Sequence, residues 1–271
     1  MKIHDFDGKF YDYARTWMAM HPGMTERQIE EKYNEIMLSW LNAPATWLDG
    51  EKPGEYFQRY SDPKDLMKLL EEYDKRDIGL PEPLYSRVAA LGEACVPALT
   101  RIVENPDRPE SLRATALALL GDIGSADTLP LLVDMVCRGR EEDDLCNMAA
   151  EQLIARGGAI GELLDRYDSA TEHGQTLILE ICANFPGDDR IFDHMMDKLR
   201  NRPDQRALYA SFLGKLGDPR AIDTLKSFLT LSDIGYLDYI ELRNAVEELG
   251  GDPGEDRAFY GDPDYEAMRN M

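Results

Sequence analysis

The chain has 271 residues, of which 43% are hydrophobic and 30% are charged, and this composition allows one or two domains or an elongated repeat array. It carries 52 acidic and 30 basic residues, a formal net charge of −22, which disfavours binding to the phosphate backbone of nucleic acids. The sequence has no apolar run long enough to span a membrane and no apolar signal segment near its start, so we expect a cytoplasmic protein.

The cysteines and the surplus of acidic residues bear on the compartment and the partners of the protein. Four cysteines lie far apart among apolar residues and form no Cys-x-x-Cys pair: Cys95, Cys137, Cys146 and Cys182. Isolated cysteines of this kind indicate buried, reduced thiols in a reducing compartment. The surplus of carboxylates predicts a solubilising surface or, as the alternative, attraction to a basic partner.

Residues 1–79 lack an internal repeat and predict an N-terminal helical cap. Thr25, with Gln28 three residues later, is a capping box that begins one helix, and Asp62 followed by proline begins another. The connector between these helices is rich in aromatic residues: Trp40, Trp47, Tyr56, Phe57 and Tyr60. We expect these rings to form the core of the cap, with an exposed anchor surface for a partner as the alternative.

Residues 80–250 carry a repeat. The stretch RATALALLGDIGSADTLPLLVDMV begins at Arg113, and RALYASFLGKLGDPRAIDTLKSFL begins 93 residues later at Arg206. That offset equals three units of about 31 residues, and weaker copies occupy the intervening and flanking positions. The weaker copies read PLYSRVAALGEACVPALTRIV, LCNMAAEQLIARGGAIGELL, TLILEICANFPGDDRIFDHMMDKL and YIELRNAVEELGGD. The pattern predicts about five to six helical hairpins.

The copy that begins at Arg206 shows why each unit predicts two helices. We expect Asp204 to cap the first helix, and Leu208 and Leu213 to lie on its apolar face. Gly217 suits the left-handed position that ends a helix, and Asp218 suits the cap of the second helix. Neither helix can bury its apolar face alone, so neighbouring units must stack.

The two strong copies resemble the HEAT-like repeat of the phycobilin-lyase type, which has an arginine, alternating alanines, a Leu-Gly pair and a Gly-Asp-Pro-like corner. The resemblance covers about two-thirds of the chain and implies an all-α fold, a right-handed α-solenoid of about five to six HEAT-like hairpins. Deoxyhypusine hydroxylases resemble this array but need His-Glu dipeptides, and none of the four histidines precedes a glutamate. Certain alkylpurine DNA glycosylases also use such repeats, with a basic concave face that this acidic array lacks.

The sequence contains no recognisable catalytic pattern. It has no Gly-rich phosphate loop, no Gly-x-Ser-x-Gly turn and no His-Glu-x-x-His motif. The acidic run at 141–144 lacks the spacing of a calcium-binding loop, and capping of the following helix is its favoured role. We therefore expect no catalytic, cofactor-binding or metal-binding residues.

Recurring arginines in the first helices predict a structural ladder. They occupy matching places in three units: Arg113, Arg206 and Arg243. We expect each to bond a corner aspartate of a neighbouring unit, with Asp122 and Asp218 as the candidates. A ladder of this kind would be structural, and the alternative is a phosphate-binding role for these arginines.

These observations favour a non-enzymatic protein–protein interaction scaffold. An α-solenoid offers an extended concave surface, formed by its second helices, that can wrap a protein or peptide. Exposed positions on these helices are expected to give that surface an acidic lining, with a histidine beside it: Asp134, Asp193, His194, Asp197 and Asp223. The expected partner is a basic protein or peptide. The alternative, implied by the family resemblance, is a small-molecule or chromophore-handling, lyase-like role.

Residues 251–271 form an acidic tail rich in glycine and proline, for which we expect irregular structure. The tail either folds over the last repeat through Phe259, Tyr260 and Tyr265 or is mobile. Cap, array and tail therefore divide the chain at about residues 80 and 250, and the pattern defines no oligomeric state.

Overall fold

The computed structural model describes residues 2–269, and the regular elements in that range are all helices. The chain divides into two compact units, Met1–Thr128 and Leu129–Met271. The helices of the first unit are α1 (Phe6–Met20), α2 (Glu26–Glu31), α3 (Tyr33–Asn42), α4 (Pro63–Lys75), α5 (Glu82–Leu91), α6 (Val96–Glu104) and α7 (Glu110–Ile123). The helices of the second unit are α8 (Leu129–Arg138), α9 (Asp144–Arg156), α10 (Ile160–Arg166), α11 (Glu172–Cys182), α12 (Asp189–Asn201), α13 (Arg206–Leu216), α14 (Ile222–Leu229), α15 (Tyr236–Glu248) and α16 (Pro263–Arg269).

An aromatic core holds the N-terminal helices of the first unit together. Its centre is Phe6, which is 1% exposed. Four rings surround Phe6 at centroid distances of 5.1 to 6.2 Å: Trp40, Trp47, Tyr56 and Phe57. Tilted and edge-to-face ring pairs add to the free energy gained by burial. The aromatic connector is therefore core, as expected, rather than an exposed anchor surface.

Both helix starts expected in the first unit are present. Thr25 and Gln28 form the capping box, each side chain bonding the other's backbone N–H. The Asp62 carboxylate accepts from the backbone N–H of Lys64 at 2.9 Å, and Pro63 occupies the first position of α4, where no N–H is needed. Beyond α4, the α5–α6 hairpin packs against α7.

In the second unit, α9, α11, α13 and α15 are the first helices of the hairpins. Within α13, Tyr209, Ala210 and Leu213 are each 0% exposed, whereas Leu208 is 37% exposed. The expectation that Leu208 lies on the buried face was wrong. Because α13 packs between α12 and α15, its buried face is broad and centres on Tyr209 and Leu213, which leaves Leu208 at the edge.

The ends of α13 agree only in part with the prediction from the sequence. Gly217 is left-handed, with φ of 75°, and Asp218 accepts from the backbone N–H of Arg220 at 3.0 Å. The expected cap by Asp204 was wrong: the Asp204 carboxylate pairs with Arg202 at 3.1 Å, and the Gln205 side chain before α13 makes no cap bond. Asp238 instead accepts from the backbone N–H of Ala207 in the first turn at 3.1 Å. A 3-10 turn that starts with proline precedes α13 and shifts its first residue.

The tail packs on α15. Phe259 is buried against the rings of Tyr236 and Tyr239, at centroid distances of 5.6 and 4.8 Å. The expectation of irregular structure fails at α16, because Asp262 followed by proline is a helix-start signal, and its carboxylate accepts from the backbone N–H of Tyr265. Tyr260 stays 76% exposed.

Both units are thus built from packed helices and helical hairpins, and the predicted all-α, helical-repeat solenoid class is confirmed. The handedness and the division near residues 80 and 250 stay predictions. Within residues 2–269, none of the helices has the length and the apolar character that a membrane crossing requires.

Candidate functional site

The second helices of the second unit lie side by side and form one surface, which we call the second-helix surface: α8, α10, α12 and α14. Ion pairs connect α8 to α10, α10 to α12, and α12 to the 3-10 turn that leads into α14. Asp134 on α8 pairs with Arg166 on α10 at 3.0 Å, and Asp165 on α10 pairs with Arg190 on α12 at 2.8 Å. In the next step, Asp189 on α12 pairs with an arginine that precedes α14, Arg220, at 2.7 Å. These three contacts connect successive helices at the surface, while the packing of their buried apolar faces holds the helices in place.

Two of the three ladder arginines also bond the aspartate that caps the turn or helix in which they lie. Arg190 pairs with Asp188 at 2.7 Å, and Arg220 pairs with Asp218 at 2.5 Å, so one Asp-x-Arg motif occupies equivalent corners of successive hairpins. Hydrogen bonds from these guanidinium groups lower the pKa of the carboxyl groups of Asp188 and Asp218 below their usual value. Asp188 and Asp218 are therefore charged at neutral pH.

The ladder does not involve the arginines that the sequence suggested. Arg113 donates to the carbonyl of Val103 at 2.9 Å, and the guanidinium of Arg206 lies 4.6 Å from the ring centre of Phe228. Arg243 pairs with an acidic residue of the tail at 3.1 Å and donates to tail carbonyls. Arg113 therefore acts on the preceding hairpin, Arg206 within its own hairpin and Arg243 on the tail. The repeated Asp-x-Arg motif is the sequence signal for the last two contacts of the ladder.

Of the corner aspartates that the sequence named, one belongs to the ladder and one does not. Asp218 caps the 3-10 turn at Pro219–Ala221 that leads into α14, and it pairs with Arg220. Asp122, in contrast, accepts a hydrogen bond from the hydroxyl of Tyr85 at 2.7 Å. Burial raises the pKa of the Tyr85 hydroxyl above its usual range, and this hydrogen bond raises it further.

Asp134 forms two ion pairs, one of which belongs to the ladder. Its carboxylate pairs with Arg166 at 3.0 Å and with Arg138, one turn along α8, at 3.1 Å. Its side chain is 37% exposed. A partner that approached Asp134 would therefore compete with two guanidinium groups.

The other three predicted aspartates are exposed. Asp193 and Asp197 lie one turn apart on α12, and Asp223 lies on the neighbouring helix α14. Asp197 accepts a hydrogen bond from the side chain of Asn201 at 2.7 Å. In the described part of the chain, none of these three carboxylates forms an ion pair, so their charge faces solvent.

His194 lies beside these aspartates in a stack with Tyr167. The two rings are 4.0 Å apart and 29° from parallel. Tyr167 is 5% exposed, its hydroxyl has no hydrogen-bond partner, and burial raises its pKa. His194 therefore covers a buried ring and contributes a partly exposed, flat face to the second-helix surface.

The second-helix surface is not uniformly acidic. Arg200 and Lys226 are exposed on α12 and α14, and the ladder arginines lie along the same helices. Unpaired negative charge is concentrated where Asp193, Asp197 and Asp223 project. The expected acidic lining is therefore local.

Other potentially reactive groups are structural. Within residues 2–269, no group of three or more His, Cys, Asp or Glu side chains is placed to hold a metal ion. The acidic run at 141–144 caps α9 through Asp143, which accepts from the backbone N–H of Leu145 at 3.1 Å. The four cysteines are buried and free, and burial raises the pKa of the Cys182 thiol to about 12.

Comparison with known proteins places this architecture in a repeat class. A family model of the PBS lyase HEAT-like repeat matches residues 210–230, which span most of α13, the Gly-Asp-Pro corner and α14. This match supports a HEAT-like repeat protein. No curated protein matches it in sequence.

Proposed function

We propose that this HEAT-like repeat protein is a non-enzymatic interaction scaffold that binds a basic protein or peptide on its second-helix surface. The observation that carries the proposal is the set of three exposed carboxylates, Asp193, Asp197 and Asp223, on two helices, α12 and α14, whose starts are connected by the ion pair of Asp189 and Arg220. A scaffold needs a fixed pattern of groups, because ordering mobile side chains on binding costs free energy.

The spacing of these carboxylates suits a segment with several cations. Asp193 and Asp197 are one helical turn apart, which corresponds to about 6 Å along α12. Asp223 lies across to the next helix, and packed helices are about 8 to 10 Å apart. Alternate residues of an extended peptide are separated by about 7 Å, so a segment with a cation at every second position can reach more than one carboxylate.

The binding free energy would be mostly electrostatic. Exposed charges raise the association rate and are screened by salt within about 10 Å at 0.1 M. Large apolar side chains on α12 are buried or covered: Met195 and Met196 are buried, and the guanidinium of Arg220 lies 4.3 Å from the ring centre of Phe192. We therefore expect modest affinity that falls steeply as the salt concentration rises.

The test compares two triple variants with equal changes in net charge. Asp193→Asn/Asp197→Asn/Asp223→Asn removes the three carboxylates of the second-helix surface. The control, Glu141→Gln/Glu142→Gln/Glu151→Gln, removes three exposed carboxylates elsewhere in the second unit. The readout is fluorescence anisotropy of a labelled peptide that alternates lysine and serine, at salt concentrations from about 50 to about 300 mM.

We expect the first variant to weaken peptide binding about tenfold, and the control to leave it within about twofold. Equal losses in the two variants would mean that only net charge attracts the peptide. Wild-type protein that binds no peptide at low salt but carries a visible absorbance after purification would favour the chromophore-handling alternative.

A further inference from the structure

A groove in the first unit has the opposite charge to the rest of the protein. It lies between α4 and α6 and has a volume of about 290 Å³. Four cationic side chains line it: Lys64, Lys68, Arg101 and Arg108. Its apolar lining is supplied by Met67, Ala98 and Ile102. We call this feature the basic groove.

The cations are held by two well-packed helices. Lys64 and Lys68 lie one turn apart on the exposed face of α4, whose opposite face buries Leu66, Leu69 and Leu70 at 0 to 1% exposure. Arg101 lies on α6, where the neighbouring Leu99 and Val103 are equally buried. The positions of the cations along the groove are therefore fixed by core packing, although the side-chain ends can move.

The groove is only partly neutralised from within. Glu71 pairs with Arg108 at 2.9 Å, and Asp65 pairs with Lys68 at 3.4 Å. Lys64 and Arg101 form no ion pair in residues 2–269. Three further surface pockets of the structure are lined by more carboxylates than cations. In a chain with a net charge of −22, this concentration of cations is a local reversal of charge.

We infer that the basic groove binds an acidic peptide segment, whose carboxylates meet Lys64, Lys68 and Arg101 while an apolar side chain between them contacts Met67 and Ile102. Alternate side chains of an extended peptide are about 7 Å apart, close to the rise of about 6 Å between Lys64 and Lys68. The segment thus has acidic residues at every second position. Cationic walls above an apolar floor suit this pattern, because each class of side chain meets its complement.

The arrangement is less suited to a single small anion. The cations are spread along two helices instead of converging on one point. The N–H of Lys64 in the first turn of α4 is already bonded to Asp62, so the helix start offers fewer free donors. The apolar floor of Met67 and Ile102 also adds nothing to the binding of a phosphate ion.

The test measures binding of a labelled peptide that alternates glutamate and leucine to the full chain by fluorescence anisotropy. Lys64→Gln/Arg101→Gln removes two groove cations, and Lys215→Gln/Arg140→Gln removes one exposed lysine and one exposed arginine elsewhere. We expect a loss of affinity of about tenfold or more in the first variant and less than about twofold in the second. Equal affinities in the two variants would overturn the inference.

Two further probes test the ligand class. A peptide that alternates glutamate and serine should bind more weakly, because it cannot use the apolar floor, and a peptide of glutamine and leucine should not bind. Inorganic phosphate at millimolar concentration should not displace the peptide beyond the effect of chloride at equal ionic strength. Displacement by phosphate alone would instead identify a small-anion site. The probe is acidic and the variants lie in the first unit. A negative result would therefore not contradict the proposed binding of a basic partner to the second-helix surface.

Discussion

The two units of the protein differ in the contacts that join their separate segments. In the first unit, rings from separate segments converge on Phe6 in one aromatic cluster that has no counterpart in the repeat pattern. In the second unit, one Asp-x-Arg motif recurs at successive corners and joins neighbouring second helices. The repeated Asp-x-Arg motif thus recurs along one surface of the second unit, whereas the first unit provides a groove whose charge differs from that of the whole chain.

The largest expected effect is in the second unit, from a charge placed between stacked helices. Leu213→Asp puts a carboxylate at a position that is 0% exposed and should destabilise the protein by more than about 4 kcal/mol. Leu208→Asp, in the same helix but 37% exposed, should cost less than about 1 kcal/mol. Circular dichroism and thermal melting measure both. An unchanged melt of Leu213→Asp would show that the packing register of α13 is incorrect.

The corresponding test of the first unit is Phe6→Ala. Removing the central ring of the aromatic cluster should cost about 3 to 5 kcal/mol, because four neighbouring rings lose their common contact. Tyr11→Ala is the control, since Tyr11 lies on the same helix and is 69% exposed. Urea unfolding followed by tryptophan fluorescence reports this region. Equal stability of the two variants would contradict a core role for the connector.

An intermediate effect tests the close approach of α8 and α11. A Cβ atom on Gly174 would lie 2.7 Å from the carbonyl oxygen of Val136 and 2.8 Å from that of Cys137. Gly174→Ala should therefore cost about 1 to 3 kcal/mol, because two backbones would have to separate. At Gly161, inside α10, an added Cβ meets nothing within 4 Å, so Gly161→Ala should stabilise the protein by about 0.5 to 1 kcal/mol. A comparison of their melting temperatures decides whether the helices approach this closely.

The smallest effect concerns the ladder and appears as pH dependence. Asp188 and Asp218 have a lowered pKa in the folded protein, so their contribution to stability is present above the unfolded value of about 3.9 and is lost as the pH falls through the folded value. The melting temperature should therefore decline below about pH 4. Arg190→Gln/Arg220→Gln should make that decline shallower, while Arg200→Gln should not change it. If the melting temperature fell equally in both variants, the ladder would not be the cause of the pH dependence.

Local chemistry explains which parts of the fold could be predicted from the sequence. Gly217 and Asp218 were assigned correctly, because a left-handed glycine and a helix cap depend on adjacent residues alone. Leu208 was misplaced because the buried face of a helix depends on how many neighbours pack against it. The partners of Arg113 and Arg206 could not be inferred either, since they depend on which helices become neighbours in space.

The candidate sites show the same limit. Periodicity was enough to place Asp193, Asp197 and Asp223 on exposed helix faces. The two ion pairs of Asp134 could be seen only in the structure, because they depend on which arginines lie near it in space. The basic groove gave no sequence signal. Its lysines on α4 and its arginines on and after α6 are separated by more than thirty residues, and the acidic surplus of the chain conceals them.

The most direct test of the scaffold proposal is affinity capture from a lysate of the source organism at low and moderate salt, read by mass spectrometry. Wild-type protein and the Glu141→Gln/Glu142→Gln/Glu151→Gln control are compared with Asp193→Asn/Asp197→Asn/Asp223→Asn. We predict that the wild type and the control capture a basic protein in stoichiometric amount, and that the aspartate variant does not capture it. Moderate salt should release this protein from the wild type. Equal recovery of the same proteins by all three baits, or recovery of chaperones alone, would contradict binding through the second-helix surface.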